Sequence, residues 1–457
     1  MMENYSIQIL MMSFSAFLIA MMTFSIDKRA FSYYFLIFSN VLFFYFVLIY
    51  DSEFSSQYLV LERDKKILLL VMPIVNIFFM LLLGGREKKQ IGIFFLNSII
   101  IFSSYIMLGA VEFSLFFVSL SIPFLISNII VIINNDLLST FSAFKNLVIG
   151  FIELTLLMVA IILFYISTES LNFYDFKIIY PLAYYTSIVI FIFSIMNILG
   201  LSPFSLLSKE NFIHSKNDTM FTNMIILRVP LIIALLAVLH KLILVNDVEI
   251  QAMIFNIIVG IIVINILITS MKNLLFLDLK LKLMNIFVDR ISWVFLIVCL
   301  PINEHRNIGI LLYLFVNTIS FVIPVYILNK MQINGLNVNI IDYKKQYIIR
   351  DKKVAFLLAI FLFNLASVPF TAGFAVIYFL FAELLKASEF YVVGVLLFSF
   401  IVANIGVLKS SWSLFFKDTD VDINEITVNI NLKEKFIFSI LLLIVFFIGI
   451  STFLIFK

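Results

Sequence analysis

Residues 354–376, VAFLLAIFLFNLASVPFTAGFAV, form an apolar run that is long enough to cross the ~30 Å hydrocarbon core of a membrane as a helix. Pro369 lies inside this run. Proline removes a backbone donor and disturbs the helix around it. Non-helical backbone at membrane depth is tolerated only where protein covers it or where it lines a cavity. The run therefore predicts a broken transmembrane helix in the interior of a membrane protein.

Apolar runs of similar length recur along the chain and are separated by short polar clusters. None of the polar stretches between them has the apolar periodicity of a separate soluble domain. We therefore expect an all-α fold, a polytopic membrane protein with roughly fourteen transmembrane helices. The predicted spans lie near residues 6–26, 31–50, 67–84, 91–111, 113–134, 140–166, 179–200, 219–242, 251–272, 284–303, 307–329, 354–376, 389–411 and 436–456.

The composition supports the same class of protein. Of the 457 residues, 63% are apolar and only 13% are charged, and the mean hydropathy is +1.14, which excludes a water-soluble domain. The lipid bilayer is thus the main solvent, and no basic tail predicts binding to nucleic acid. The single cysteine, Cys299, excludes a disulfide framework, and the three histidines are scattered. We expect no metal site and no cofactor in this chain.

A second proline, Pro203, lies at a position in the first half of the chain comparable to that of Pro369 in the second. Paired interruptions of this kind are typical of membrane proteins built from internal repeats, whose broken helices surround the functional centre. The two prolines therefore predict two helix breaks and an internal repeat.

Four segments resemble the antiporter-like membrane subunits of respiratory complex I, especially chain N, also called chain 2. Their order and spacing carry the resemblance, which covers roughly residues 90–415. They are LASVPFTAGF at 365–374, similar to the family's SLAGIPPTAGF; GLSPFSLLSKENF at 200–212, similar to LVPFHLWTPDVY; DLKLKLMNIFVDRISW at 278–293, similar to DLKRLLAYSSISHMGY; and AFKNLVIG at 143–150, similar to AxKYFLLG.

The resemblance implies two inverted five-helix repeats, at 91–248 and 249–415. N-terminal helices at 1–90 precede them, and a loop and C-terminal helix at 416–457 follow. It also implies a subunit of the enzyme NADH:ubiquinone oxidoreductase, a translocase, with other membrane-arm subunits as partners and with no redox centre in this chain. The implied location is the mitochondrial inner membrane or, alternatively, the bacterial plasma membrane.

The positions that carry protons in the family have changed here. The family uses a buried glutamate on its fifth helix and lysines on its seventh, eighth and twelfth helices. The matching positions in this chain are Val118, Ile198, Arg228 and Ile377. Aliphatic side chains cannot carry a proton, and a guanidinium does not deprotonate in a protein. The resemblance therefore predicts a degenerate proton path and a subunit that acts largely as a scaffold.

Other charged residues remain candidates for a proton path. They are Lys145, which survives from the family pattern, Arg228 itself, Glu112, Glu153 and Glu383. Glu112 and Glu383 each lie six residues from a vacated position, about 9 Å along a helix, which argues against direct replacement. Lys145 can also be a snorkelling side chain and Arg228 a structural ion-pair partner. We interpret Asp289-Arg290 as interfacial or packing charges.

Two other functions stay open at this point. A flippase or polymerase for lipid-linked glycans has a similar number of spans, and it should show charged residues around a central cavity without paired broken helices. A cation/proton antiporter subunit of the same superfamily should keep the missing lysines. Their absence argues against the antiporter.

Overall fold

The computed structural model describes residues 2–25, 28–49, 59–60, 63–84, 88–133, 137–201, 222–244, 248–275, 279–298, 304–333, 345–349, 351–386, 390–413, 422–426 and 430–455. This part of the chain contains fifteen α-helices and two short strands. The helices are α1 (Met2–Ser25), α2 (Arg29–Ile49), α3 (Arg63–Leu83), α4 (Lys88–Gly109), α5 (Phe113–Ile132), α6 (Leu137–Thr168), α7 (Pro181–Leu199), α8 (Arg228–Leu244), α9 (Val248–Leu275), α10 (Leu279–Val298), α11 (Glu304–Ile333), α12 (Lys352–Leu365), α13 (Ala372–Lys386), α14 (Phe390–Ser413) and α15 (Leu432–Ile455).

The predicted polytopic helical fold is confirmed. Each predicted span overlaps one helix, except that the span at 354–376 corresponds to the pair α12 and α13. Among the described residues, nine helices are long and apolar enough to cross a membrane. Many of their apolar side chains are exposed, such as Phe141, Phe144 and Phe151 on α6, as expected where lipid is the solvent.

The chain divides into two compact units. Unit 1 contains α1 to α8, and unit 2 contains α9 to α15. In unit 2, strand β1 (Lys345–Ile349) pairs in parallel with β2 (Asp422–Ile426), in addition to the predicted helices. The repeat boundaries and the inverted relation between the repeats stay predictions.

Buried amides connect α2, α3 and α4 in unit 1. Asn40 donates to Ser98 Oγ at 3.0 Å, Asn76 donates to Asn40 Oδ1 at 3.2 Å, and Asn97 donates to Asn76 Oδ1 at 3.4 Å. Side-chain hydrogen bonds of this kind hold membrane helices together, because lipid offers no competing partner. They fix the packing of these N-terminal helices.

The C-terminal helix α15 packs on α11 and α13 in unit 2. Lys330 of α11 forms an ion pair with Glu434 of α15 at 3.1 Å. At the other end of α15, a Cβ added at Gly449 would lie 2.6 Å from the carbonyl oxygen of Phe370. The helix therefore packs directly against the backbone between α12 and α13.

Candidate functional site

The helix pair α12 and α13 is interrupted between Leu365 and Ala372, around Pro369. Ser367 and Phe370 have positive φ angles of 54° and 70°. Proline cannot continue a helix, and it pushes the preceding residue towards an extended conformation, so the chain leaves the helical path here. The break lies where the sequence predicts it. The second predicted break, at Pro203, lies outside the described residues.

Asn364 connects the two halves of this broken helix. Its side-chain carbonyl accepts a hydrogen bond from the backbone N–H of Gly373 at 2.8 Å, in the first turn of α13. Its amide nitrogen donates to Ser320 Oγ of α11. The first N–H groups of a helix have no partner within the helix, so Asn364 satisfies one that would otherwise be buried without a partner.

Arg290 of α10 binds the other side of the break. Its Nη2 donates to the carbonyl of Leu365, the last residue of α12, and also reaches Ser367 Oγ at 3.5 Å. The last carbonyls of a helix lack partners within it and carry partial negative charge, so a cation there is favourable. Arg290 thus caps the C-terminal end of α12.

Asp289 and Arg290 form the centre of a buried polar cluster. They are only 5% and 6% exposed, and their charges interact. Asp289 accepts a hydrogen bond from Thr269 of α9 at 3.0 Å. Of the two interpretations made from the sequence, interfacial or packing charges, the burial of both side chains fits packing charges. Helices α9 and α12 supply hydrogen-bond partners for these two charges inside unit 2.

Several donors in this cluster have no hydrogen-bond partner. They are Nε and Nη1 of Arg290, the hydroxyl of Tyr313 and the indole N–H of Trp293. The two aromatic groups lie close enough to Asp289 or Arg290 to interact with them, but they lack hydrogen-bond geometry. Buried donors of this kind are usually satisfied by ordered water. The cluster can therefore hold water beside the helix break.

A second arginine lies at a helix end in unit 1. Arg228 is the first residue of α8 and follows a π-helical turn, Thr222–Leu227. Its Nη1 donates to the carbonyl of Leu199 at 3.1 Å, and Leu199 is the last residue of α7. Gly200 follows with a φ of 70°, a conformation that commonly ends helices.

Glu153 of α6 lies within electrostatic reach of Arg228. Arg228 is 6% exposed, and Glu153 is half-buried. The sequence shows both residues as candidates but does not show that they lie together, because α6 and α8 are far apart along the chain. The structure therefore brings two of the candidate residues, the acidic Glu153 and the basic Arg228, within electrostatic reach of each other.

The remaining candidates lie elsewhere. Glu112 precedes α5 and accepts a hydrogen bond from Ser114 at 3.2 Å. Glu383 is buried near the end of α13 and pairs with Lys386 at 2.7 Å. Lys145 is half-buried on α6. Glu112 and Glu383 thus each have a partner near a helix end.

The three aliphatic positions have different environments. Ile377 of α13 is 3% exposed, and Ile198 of α7 is half-buried. Val118 of α5 is 58% exposed, so its side chain does not point into the interior of unit 1. Of these positions, Ile377 is therefore buried inside its unit and Val118 is not.

Comparison with known proteins identifies the fold. The sequence matches no protein-family model, and no curated protein is similar to it. A chain of the membrane-bound sulfane sulfur reductase (MBS), an archaeal respiratory membrane complex, has a TM-score of 0.79 and 14% identity over 97% of this chain and 94% of that chain. A chain of respiratory complex I from Thermus thermophilus has a TM-score of 0.76 and 12% identity over 96% of both chains.

A third neighbour belongs to the Mrp complex from Dietzia sp. DQ12-45-1b. It has a TM-score of 0.75 and 12% identity, over 91% of this chain and 81% of that chain. The neighbours are antiporter-like membrane subunits, and this chain has their fold over nearly its whole length. The resemblance to the antiporter-like subunits of complex I is confirmed at the level of the fold.

Proposed function

We propose that this chain is a membrane-arm subunit of an NADH:quinone oxidoreductase of the complex I type, in which the proton path is degenerate and the subunit acts largely as a scaffold. Membership is supported by the full-length likeness to a chain of a respiratory complex I. The chain has no redox centre in this proposal. Its membrane is the mitochondrial inner membrane, or the plasma membrane of a bacterium, and ubiquinone is the acceptor used by the whole enzyme.

The observation that carries the scaffold role is the hydrogen bond made by the buried Arg290 at the helix break of unit 2. A proton relay needs groups that change charge within hydrogen-bond reach or through a short water chain. Arg290 donates a hydrogen bond to the carbonyl of Leu365, and a guanidinium does not deprotonate in a protein. Ile377, at the position of the twelfth-helix lysine, cannot change charge at all.

The first expected result is that the chain migrates with a large assembly. Polar backbone at a helix break and buried charges need protein cover within the bilayer. Native electrophoresis of mildly solubilised membranes, probed for this chain, should find it in a complex that also contains flavin and iron–sulfur clusters. Migration as a monomer or small homo-oligomer contradicts the proposal. A large complex without redox centres instead supports a cation/proton antiporter subunit.

The second expected result concerns Lys145, the lysine that survives from the family pattern. Lys145→Met should leave the number of protons pumped per electron unchanged, because Ile198 and Ile377, at later positions of the family's path, cannot carry a proton onward. The measurement is the proton-to-electron ratio in sealed vesicles containing the assembled enzyme. Lys177→Met, which removes an exposed lysine between α6 and α7, is the matched control. Loss of pumping without loss of assembly contradicts the degenerate path.

A further inference from the structure

Arg228 and Arg290 make the same contact in two places. Each guanidinium donates to the carbonyl of a leucine that ends a helix, Leu199 for Arg228 and Leu365 for Arg290. In the sequence, each leucine lies four residues before a Pro-Phe pair, at 203–204 and at 369–370. The two arginines therefore cap the two helices that end just before the predicted breaks.

These caps provide hydrogen bonds to backbone carbonyls, which lipid cannot provide. The last carbonyls of an α-helix have no partner within the helix, and a helix that stops inside a membrane leaves them without water. A guanidinium supplies hydrogen bonds together with a positive charge, which the negative end of the helix dipole favours. Both arginines are at most 6% exposed. They therefore supply the hydrogen bonds that water would make at an exposed helix end.

The two caps do not come from equivalent parts of the chain. Arg228 opens α8, which comes later in the sequence than α7. Arg290 lies on α10, which precedes α12. A residue inherited through duplication of one repeat would lie at the same distance and in the same direction from each break. The same contact has therefore been reached from different helices, which argues that the contact itself is required.

Each cap also has a carboxylate beside it. The charge of Arg228 interacts with that of Glu153, and the charge of Arg290 interacts with that of Asp289. A carboxylate within electrostatic reach lowers the cost of burying the arginine. The carboxylates come from α6 in unit 1 and from α10 in unit 2.

We propose that Arg228 and Arg290 are matched positioning residues that hold the two helix ends closed, which means that each last carbonyl stays bonded to its guanidinium. An arginine keeps its charge, whereas a buried lysine loses its proton readily and offers no planar fork of donors. The inference rests on the contacts of each arginine, and it deepens the proposed function by giving the charges at the two breaks a structural task.

A thiol-labelling experiment on the full-length chain in native membranes tests this. Cys299 is replaced by serine, and a single reporter is introduced beside each cap, Leu201→Cys or Ala366→Cys, both buried. The rate of reaction with N-ethylmaleimide reports opening of the helix end. Arg290→Gln should accelerate labelling at position 366 roughly 10- to 100-fold, the factor expected for loss of a charged hydrogen bond. Arg228→Gln should do the same at position 201.

The lysine variants separate this role from simple packing. For Arg290→Lys, the quantity to compare is the labelling rate at position 366 divided by the rate in the chain that keeps Arg290. This ratio should be close to one at about pH 6 and should rise towards about pH 9, because a desolvated lysine becomes neutral as the pH rises. Lys352→Gln and Lys177→Gln, both at exposed lysines, should leave the rates unchanged.

Two results overturn the inference. One is an unchanged labelling rate in the glutamine variants, and the other is an Arg290→Lys chain that labels as slowly as the parent at every pH. If a glutamine variant fails to accumulate, the lysine variant carries the test alone. Labelling is measured on this chain itself, so its rate can be determined whether or not the chain joins an assembly. Opening of the caps in a chain that joins no large assembly would therefore refute the proposed function and leave this inference standing.

Discussion

Replacing Gly373 by alanine is expected to destabilise unit 2 by about 3 kcal/mol, the upper part of the usual range for overpacking a buried site. A Cβ at this position would overlap the backbone carbonyl oxygen of Asn364, and Asn364 Oδ1 also lies 3.3 Å away. Backbone atoms cannot move aside as a flexible side chain can. The substitution should also break the hydrogen bond from Gly373 N to Asn364, which joins the two halves of the broken helix.

The measurement is the thermal unfolding of the chain in detergent, together with its amount in the membrane. Gly394→Ala in α14 is the matched control, because a Cβ there meets nothing within 4 Å. Alanine is the better helix former, so this control should be neutral or slightly stabilising. Equal stability of the two variants would show that α12 and α13 are not held together as described.

The helix break at Pro369 could be predicted from the sequence because its cause is local. Proline lacks an N–H and restricts the residue before it, and both effects act wherever the proline lies. The helices could be predicted for a similar reason, since a membrane-spanning run of apolar residues admits few other structures. Within the part of the chain that the structure describes, the strands β1 and β2 and the π-helical turn at Thr222–Leu227 have no counterpart in the sequence prediction.

The residues of the site could be predicted only in part, because the contacts that define it are distant in the sequence. Asp289-Arg290 is visible as a charged pair, but nothing local indicates that Arg290 reaches Leu365 or that Thr269 binds Asp289. Two charges in the middle of an apolar helix were the available signal, since charges inside a membrane are costly and usually functional. The exposed position of Val118 depends in turn on which face of α5 packs inward, and in an evenly apolar helix no pattern reveals it.

Replacing Asp289 by asparagine is expected to cost about 3 to 5 kcal/mol, the range found when one member of a buried charge pair is removed. Asparagine has nearly the same shape and can still accept the hydrogen bond from Thr269, so the change removes the charge and little else. Arg290 would then keep a full positive charge at 6% exposure without a carboxylate beside it. The thermal midpoint of the chain in detergent and its amount in the membrane measure the effect.

Two comparisons separate this charge effect from the loss of a hydrogen bond. Thr269→Val removes the donor to Asp289 but keeps both charges, and it should cost only about 1 kcal/mol. In a chain that already carries Arg290→Gln, Asp289→Asn should be far less damaging, because no buried cation is left unpaired. Additive losses in the double variant would mean that the two charges do not stabilise each other. In that case the compensation of Arg290 must come from the helix end at Leu365 alone, and the carboxylate would have no part in holding the break closed.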